Sequence, residues 1–306
     1  MNFEEVIPQT SVQALTEDDV REIVTSMLTS TNTKVNIANI TGTGQIKQGV
    51  DLVAGEPLAA GKPIFIGADG KAYVAHSFSS TITARYVGIS TGLGSVGQGT
   101  AIQISGANMN LSGLTAGSLY YLQDPTVDQS DAGTGADRSI YGDQWCAQTF
   151  VPATTQATSV VYLKMRKNGT PTGDVTVSLR ATAAGAPTGS DLVSTTVVAT
   201  SLSASYADVL FVFTTPYVLT VGTTYAIVVR AAATDNLNPV EANSRGSSGY
   251  ASGQIYTSTN GGSSWSSATD DLNFKTYYSG GSLGTTAGTV SKQVGFAVNA
   301  TTLSLT

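Results

Sequence analysis

Two strand-like runs with a Val-Gly step, Tyr86-Val-Gly-Ile-Ser90 and Gln293-Val-Gly-Phe-Ala297, stand near opposite ends of a working stretch of chain. They read as equivalent strands on either side of a long excursion of different character. Short strand candidates surround the first: Pro63-Ile-Phe-Ile66, Ala72-Tyr-Val-Ala75, Ala101-Ile-Gln-Ile104 and Leu119-Tyr-Tyr-Leu122, with turn signals between them. We therefore expect Leu119–Leu122 and Val294–Val298 to share one sheet of a small β domain. A guest domain then interrupts that domain.

A second recurrence supports this parse. Leu58-Ala-Ala-Gly61, Leu114-Thr-Ala-Gly117 and Leu219-Thr-Val-Gly222 each precede a strand candidate. Glycine there takes a turn conformation costly to other residues, and the leucine anchors the turn on the core. We read it as a structural device. Gly67-Ala-Asp-Gly70 is a tight hairpin signal, because Asp-Gly supplies the positive φ such turns need.

The chain has 306 residues, room for two ordinary domains. Charged residues are 12%, against roughly 25% in an average soluble protein. With 33 glycines and abundant Ser, Thr, Ala and Val, the composition is that of a mainly β protein with a hydroxyl-rich surface. A net charge of −6 argues against nucleic-acid binding. The tight basic cluster Lys164, Arg166 and Lys167 reads as a solvated strand edge. The single cysteine, Cys146, leaves no disulfide framework and reads as a small buried apolar residue. The first residues lack the pattern of a signal peptide, and no apolar run is long enough to span a membrane.

Residues 1–47 are set apart as an N-terminal arm and helix. Thr16 and Asp19 resemble a capping box, and Val20, Ile23, Val24, Met27 and Leu28 then form one apolar stripe. The predicted helix, Glu17 to Thr29, is too short to stand alone. It packs on the β domain, or it serves as an anchor or oligomer contact.

The excursion opens after an Asp-, Gly- and Ser-rich stretch, 123–142, expected to be a solvated loop. Val161, Leu163 and Met165 alternate with Tyr162, Lys164 and Arg166, and Val175, Val177 and Leu179 alternate with polar residues. Both patterns predict antiparallel strands with one buried face. About eight such strands make residues 141–279 an inserted jelly roll or β-sandwich.

The order Leu58-Ala-Ala-Gly-Lys-Pro63, Asp69-Gly-Lys-Ala-Tyr73, Val87-Gly-Ile89, Leu114-Thr-Ala-Gly117 and Val294-Gly-Phe-Ala297 resembles small β-barrel domains of tailed-phage virion proteins. Such domains occur in capsid decoration proteins, head fibres and some tail fibres. The resemblance covers 48–124 plus 280–306, and implies a small β-barrel there. Ala147-Gln-Thr-Phe150, Gly169-Thr-Pro-Thr-Gly173, Ala186-Pro-Thr-Gly189, Leu219-Thr-Val-Gly-Thr-Thr-Tyr225 and Asp271-Leu-Asn-Phe-Lys-Thr-Tyr277 resemble carbohydrate-binding-type jelly rolls.

Candidate chemistry is sparse. The one histidine, His76, has no nucleophile motif around it and reads as solvated or packed among polar groups. Histidine-based zinc is excluded by number. Paired carboxylates for glycoside hydrolysis could come from Asp270 with Asp271, Asp143, or Asp128, Asp131 and Asp137. Adjacent acids on a strand point to opposite faces, and loop acids give a poor platform. Those loop acids also lack the EF-hand calcium spacing. Ser258-Thr-Asn-Gly-Gly-Ser-Ser-Trp265 loosely matches the Asp-box turn of sialidase-like propellers, with Asn260 in place of the aspartate. One copy without periodicity argues against a propeller. Trp265, Tyr256, Tyr250 and Trp145 could form a sugar-stacking platform, or cap the sandwich core.

The expected function is that of a non-enzymatic virion protein, a head fibre or capsid decoration protein displaying a jelly roll that binds host or environmental glycans. A tail or baseplate receptor-binding adhesin is the alternative, and a glycan-degrading enzyme a third. The expected partners are its own copies as a homotrimer, capsid or other virion proteins, and cell-surface glycans, with no nucleic acid, membrane, cofactor or metal. Such a protein is made in the host cytoplasm and resides in the virion.

Overall fold

The computed structural model describes residues 35–37, 48–108, 111–231, 234–278 and 281–305. The expected helix with its stripe Val20, Ile23, Val24, Met27 and Leu28 lies outside the described residues. Strands make up 52% and helix 3%, all in antiparallel sheets, so the fold is mainly β. Among the described residues the one α-helix, Ser80–Ala84, is short and is capped by the Ser79 hydroxyl, which accepts from the Thr81 amide.

Two open sheets form the base of the molecule. One runs in the order Val35–Ile37, Gln48–Val53, Gly99–Gln103, Tyr86–Ser90, Pro63–Ile66, Ala72–Val74. The other runs Leu283–Gly284, Leu119–Leu122, Gln293–Ala297, Leu303–Leu305, Gly106–Asn108. The pairing expected from the sequence is present: Gly295 lies opposite Tyr120, and Phe296 opposite Leu119.

The recurring Val-Gly step has a steric cause. A Cβ on Gly88 would lie 2.1 Å from the carbonyl oxygen of Gln103, and one on Gly295 2.3 Å from that of Ser304. In both strands the ladder with one neighbour slips in register beside the glycine. Each glycine thus admits a close backbone approach.

The Leu-x-x-Gly turns behave as read. Gly61, Gly117 and Gly222 have φ of 78°, 82° and 75°, left-handed values that a side chain resists. Two of the turns share a further brace. The Tyr120 hydroxyl accepts from the Thr115 amide at 2.8 Å, and the Tyr225 hydroxyl from the Thr220 amide at 3.2 Å. The same device therefore serves base and insertion alike.

The barrel expectation is corrected: among the described residues no sheet closes into a barrel. The chain turns a corner between Gln103 and Gly106, leaving one base sheet and entering the other. Strands that switch sheets in this way divide the ladder instead of closing it.

The insertion is a β-sandwich of two six-stranded sheets. The inner sheet holds Ala136–Ile140, Val240–Ser244, Gln156–Lys167, Phe274–Tyr278 and Thr126–Asp131, with Ala207–Leu219 paired to Gln156–Lys167. The outer sheet runs Ala186–Val198, Asp174–Ala183, Tyr225–Arg230, Trp145–Phe150, Ile255–Ser258, Ser266–Ser267. Between them lies an apolar core that includes Phe150, Val177, Leu163, Phe211, Phe213, Ile227 and Phe274. Cys146 is buried in it, as expected, and burial pushes its thiol up to about 12.

Two further expectations are corrected. The stretch 123–142 is not a solvated loop, because Thr126–Asp131 and Ala136–Ile140 are strands of the inner sheet. The sandwich therefore starts before residue 141. Lys164 and Arg166 do not sit on a strand edge, since Gln156–Lys167 pairs with neighbours on both sides. Arg166 is instead drawn to Glu241 at 2.6 Å and Asp137 at 3.2 Å.

The inner sheet is apolar on both sides. Alternation turns Val160 toward the base and Val161 into the sandwich core, and a β-bulge between Thr158 and Val160 lets Ala157, three residues earlier, face the base as well. Ala157, Val160 and Tyr277 join Phe65, Tyr73, Ile89, Tyr120, Leu122 and Val294 in one buried cluster. Base, inner sheet and outer sheet are thus stacked in that order.

Candidate functional site

Alternation along the outer strands decides which side chains reach the face turned away from the base. Cys146 and Phe150 point into the core, while Trp145 and Ala147 point out; Ile227 and Val229 point in, while Ala226, Val228 and Arg230 point out. Ala147, Ala226 and Val228 form a small-residue floor beneath Trp145, Tyr256 and Trp265. Three of the four aromatic candidates are therefore brought together.

Tyr250 is not among them. Its ring meets Phe274 edge-on at 5.3 Å in the sandwich core. Its hydroxyl donates to Gln129 at 2.8 Å and accepts from the Val151 amide at 3.2 Å. Its donor and ring are both committed to structure, which corrects its assignment to the platform.

The turn from Ser258 to Trp265 fixes the tryptophan's backbone. The Asn260 side-chain oxygen Oδ1 accepts from the Ser258 hydroxyl and the Ser264 amide, both at 2.9 Å. The Ser258 hydroxyl accepts from the Gly262 amide at 2.8 Å. The asparagine thus closes the hairpin that joins Ile255–Ser258 to Ser266–Ser267. Gly262 lies directly against the Trp145 ring, where a Cβ would stand 2.7 Å from it.

Sequence reasoning missed the charged half of this face. Asp191 accepts from Arg180 Nε at 2.7 Å and from Arg230 Nη2 at 2.5 Å. Arg230 Nη1 also donates to the Ser178 hydroxyl at 3.1 Å. Burial opposes ionisation of Asp191, but the hydrogen bonds from Arg230, Arg180 and Ser178 outweigh it and hold its carboxyl below the usual value. Both guanidiniums also lie over Trp145, 5.5 and 5.3 Å from its ring centre, a cation–π arrangement. Alternation could have placed Arg180 and Arg230 on the outward face. The register Thr176 opposite Arg230, which brings the strands together, could not be read from the sequence.

The face offers stacking and planar hydrogen bonding. Trp145 already carries two guanidiniums on its ring, and its Nε1 donates to the Gly142 carbonyl at 3.1 Å. It therefore positions the arginines. Tyr256 is buried, with its hydroxyl accepting from Gln254 at 2.9 Å, so half-buried Trp265 remains as the aromatic contact.

The acid candidates lie elsewhere. Asp271 accepts from the Gly249 and Tyr250 amides at 2.8 and 2.9 Å and from Gln148 at 2.9 Å. Asp270 is bound by Arg138 and the Ser244 hydroxyl. Both are almost fully buried. Asp131 pairs with Arg245 at 2.6 Å, Asp137 with Arg166, and Asp128 accepts from the Ala153 amide at 3.1 Å. These acids hold the strands that were expected to be loop. Among the described residues no three His, Cys, Asp or Glu side chains converge as a metal site would require, and no helix is long and apolar enough to cross a membrane.

No family model matches the chain, and no curated protein matches it.

Proposed function

We propose that this chain is a non-enzymatic virion protein of a tailed phage, a head fibre or capsid decoration protein that displays a glycan-binding sandwich. One observation carries the reading: the Trp145, Tyr256 and Trp265 cluster, with Arg180 and Arg230, lies on the sheet face turned away from the base. A platform on the far side of a rooted sandwich is placed for recognition at a distance. The resemblance of the base turns to virion domains supplies the setting, and the residues before the base strand Val35–Ile37 supply the attachment.

Labelling the protein on purified particles tests the setting. Label on the head supports it, and label on the tail or baseplate moves the reading to a receptor-binding adhesin. Deleting residues 1–30 is expected to abolish attachment while leaving the β structure folded. Screening the intact protein and Trp265→Ala on a glycan array tests recognition. Binding by the parent that is lost in the variant is expected; no binding by the parent removes the glycan reading.

A further inference from the structure

The contact between base and sandwich contains two buried titratable side chains that serve neither core packing nor the binding face. Glu56, in the base, is 2% exposed. One of its carboxylate oxygens accepts from the Val74 amide of the base at 2.6 Å, and the other from the Ala157 amide of the sandwich at 3.1 Å. His76 is fully buried two residues beyond Val74. Its Nε2 is 2.8 Å from the hydroxyl of Ser159, which lies two residues beyond Ala157 on the same sandwich strand. The Phe78 amide donates to His76 Nδ1 at 3.3 Å. Nε2 therefore carries the ring hydrogen and donates to Ser159.

The two contacts form a pair of rungs between one stretch of base and one stretch of sandwich strand. The Ala68 amide donates to the Thr214 carbonyl at 2.8 Å as a further tie. An acid and a base set side by side in one buried seam respond to protons in opposite senses. We propose that Glu56 and His76 form a proton-compensated latch, in which the weakening of one rung by a change of pH is offset by the strengthening of the other.

The groups facing each rung fix the directions. Around Glu56 stand Lys62 and the Tyr73 phenol, whose hydroxyl donates to Asp69. Burial is the largest influence, and it raises the carboxyl from 4.5 to about 7 despite the two amides and Lys62. Around His76 the charged neighbour is Asp124, held ionised by bonds from Ser77 and Thr289 that outweigh its own burial. Burial lowers the imidazole from 6.5 to about 4, against the pull of Asp124.

The signs follow from linkage. Glu56 binds its proton more tightly in the closed seam than in an open one. Its stabilisation is complete below about 4.5 and is lost as the pH rises to about 7. His76 binds its proton more weakly when closed, so its stabilisation is complete above about 6.5 and is lost as the pH falls to about 4. The windows overlap and the slopes oppose. Each group alone would change the opening equilibrium by roughly 100-fold between pH 4.5 and 7.5, in opposite directions, so the two together leave a smaller change than either alone.

Amide exchange at Ala157 and Ser159 in the full chain, corrected for intrinsic rates, reads this opening between pH 4.5 and 7.5. The parent is expected to give a shallower profile than either single variant. Glu56→Gln should open roughly 100-fold more as the pH falls, and His76→Gln roughly 100-fold more as it rises. A parent slope as steep as that of either variant, or parent-like profiles in both variants, overturns the proposal. If either variant fails to fold, nuclear magnetic resonance titration of the Glu56 carboxyl and the His76 ring in the parent decides. Titration of both near their shifted values supports the latch; titration of either at its ordinary value overturns it.

Discussion

The base and the sandwich use the same turn device but close their cores in different ways. Base strands are short, such as the four residues of Pro63–Ile66 and Leu119–Leu122. Sandwich strands reach 12 and 13 residues in Gln156–Lys167 and Ala207–Leu219. The main sandwich core contains side chains from the sandwich alone. Of the two base clusters, the one facing the sandwich is completed by Ala157, Val160 and Tyr277, and the other, around Ile64, Val74 and Ile102, is built from the base alone. Length explains the asymmetry. A long strand buries enough of one face to hold a partner sheet, whereas the short base strands cover the face turned toward the sandwich with apolar surface borrowed from it. The insertion is a structural support of the domain it interrupts.

The largest test of this comparison removes a ring from each core. Phe274→Ala and Phe65→Ala are each expected to cost about 3–5 kcal/mol, since both rings are almost fully buried. Their reach should differ. By segment-resolved hydrogen exchange, Phe274→Ala should lower protection in both sandwich and base, and Phe65→Ala in the base alone. Equal loss of sandwich protection in the two variants would break the asymmetry.

A smaller effect belongs to the close backbone approaches of the base. Gly295→Ala and Gly88→Ala should each lose about 1–3 kcal/mol in denaturant unfolding, because the added methyl meets a carbonyl that can move only with its strand. A neutral result at either position would remove the steric account of the repeated Val-Gly step.

Smaller again is the shared turn. Tyr120→Phe and Tyr225→Phe each delete one hydroxyl acceptor, worth about 1 kcal/mol. Similar losses by thermal unfolding would mean that the device works equally in both regions. A loss confined to Tyr225 would locate its value in the sandwich. Last, Cys146 offers a probe with little effect of its own. Burial raises its thiol, so alkylation should track sandwich opening and stay slow in Phe65→Ala.

Much of this organisation was legible in the sequence. Alternating Val175, Val177 and Leu179 gave a strand and its buried side, and Leu119–Leu122 was legible as a sheet partner of the second Val-Gly run, although the two Val-Gly runs themselves lie in different sheets. What escaped depended on distant partners. Thr126–Asp131 has a polar composition that looks like loop, and its Asp131 is held by Arg245. Lys164 and Arg166 looked like an edge because no local pattern tells which strands lie on either side. At the candidate face, three aromatic positions were legible as residue types, but Tyr250 turned inward. The arginines beside Trp145 depended on register.

The chain leaves the base at Gln123 and comes back at Ser282, and the Gln123 amide donates to the Ser282 carbonyl at 3.2 Å. The two ends of the sandwich are therefore tied side by side, with Leu283 opposite Leu122. A tug on the sandwich loads both root strands in the same direction. Leu119–Leu122 then resists by shearing along Gln293–Ala297, and its ladder bonds must yield together instead of peeling one by one.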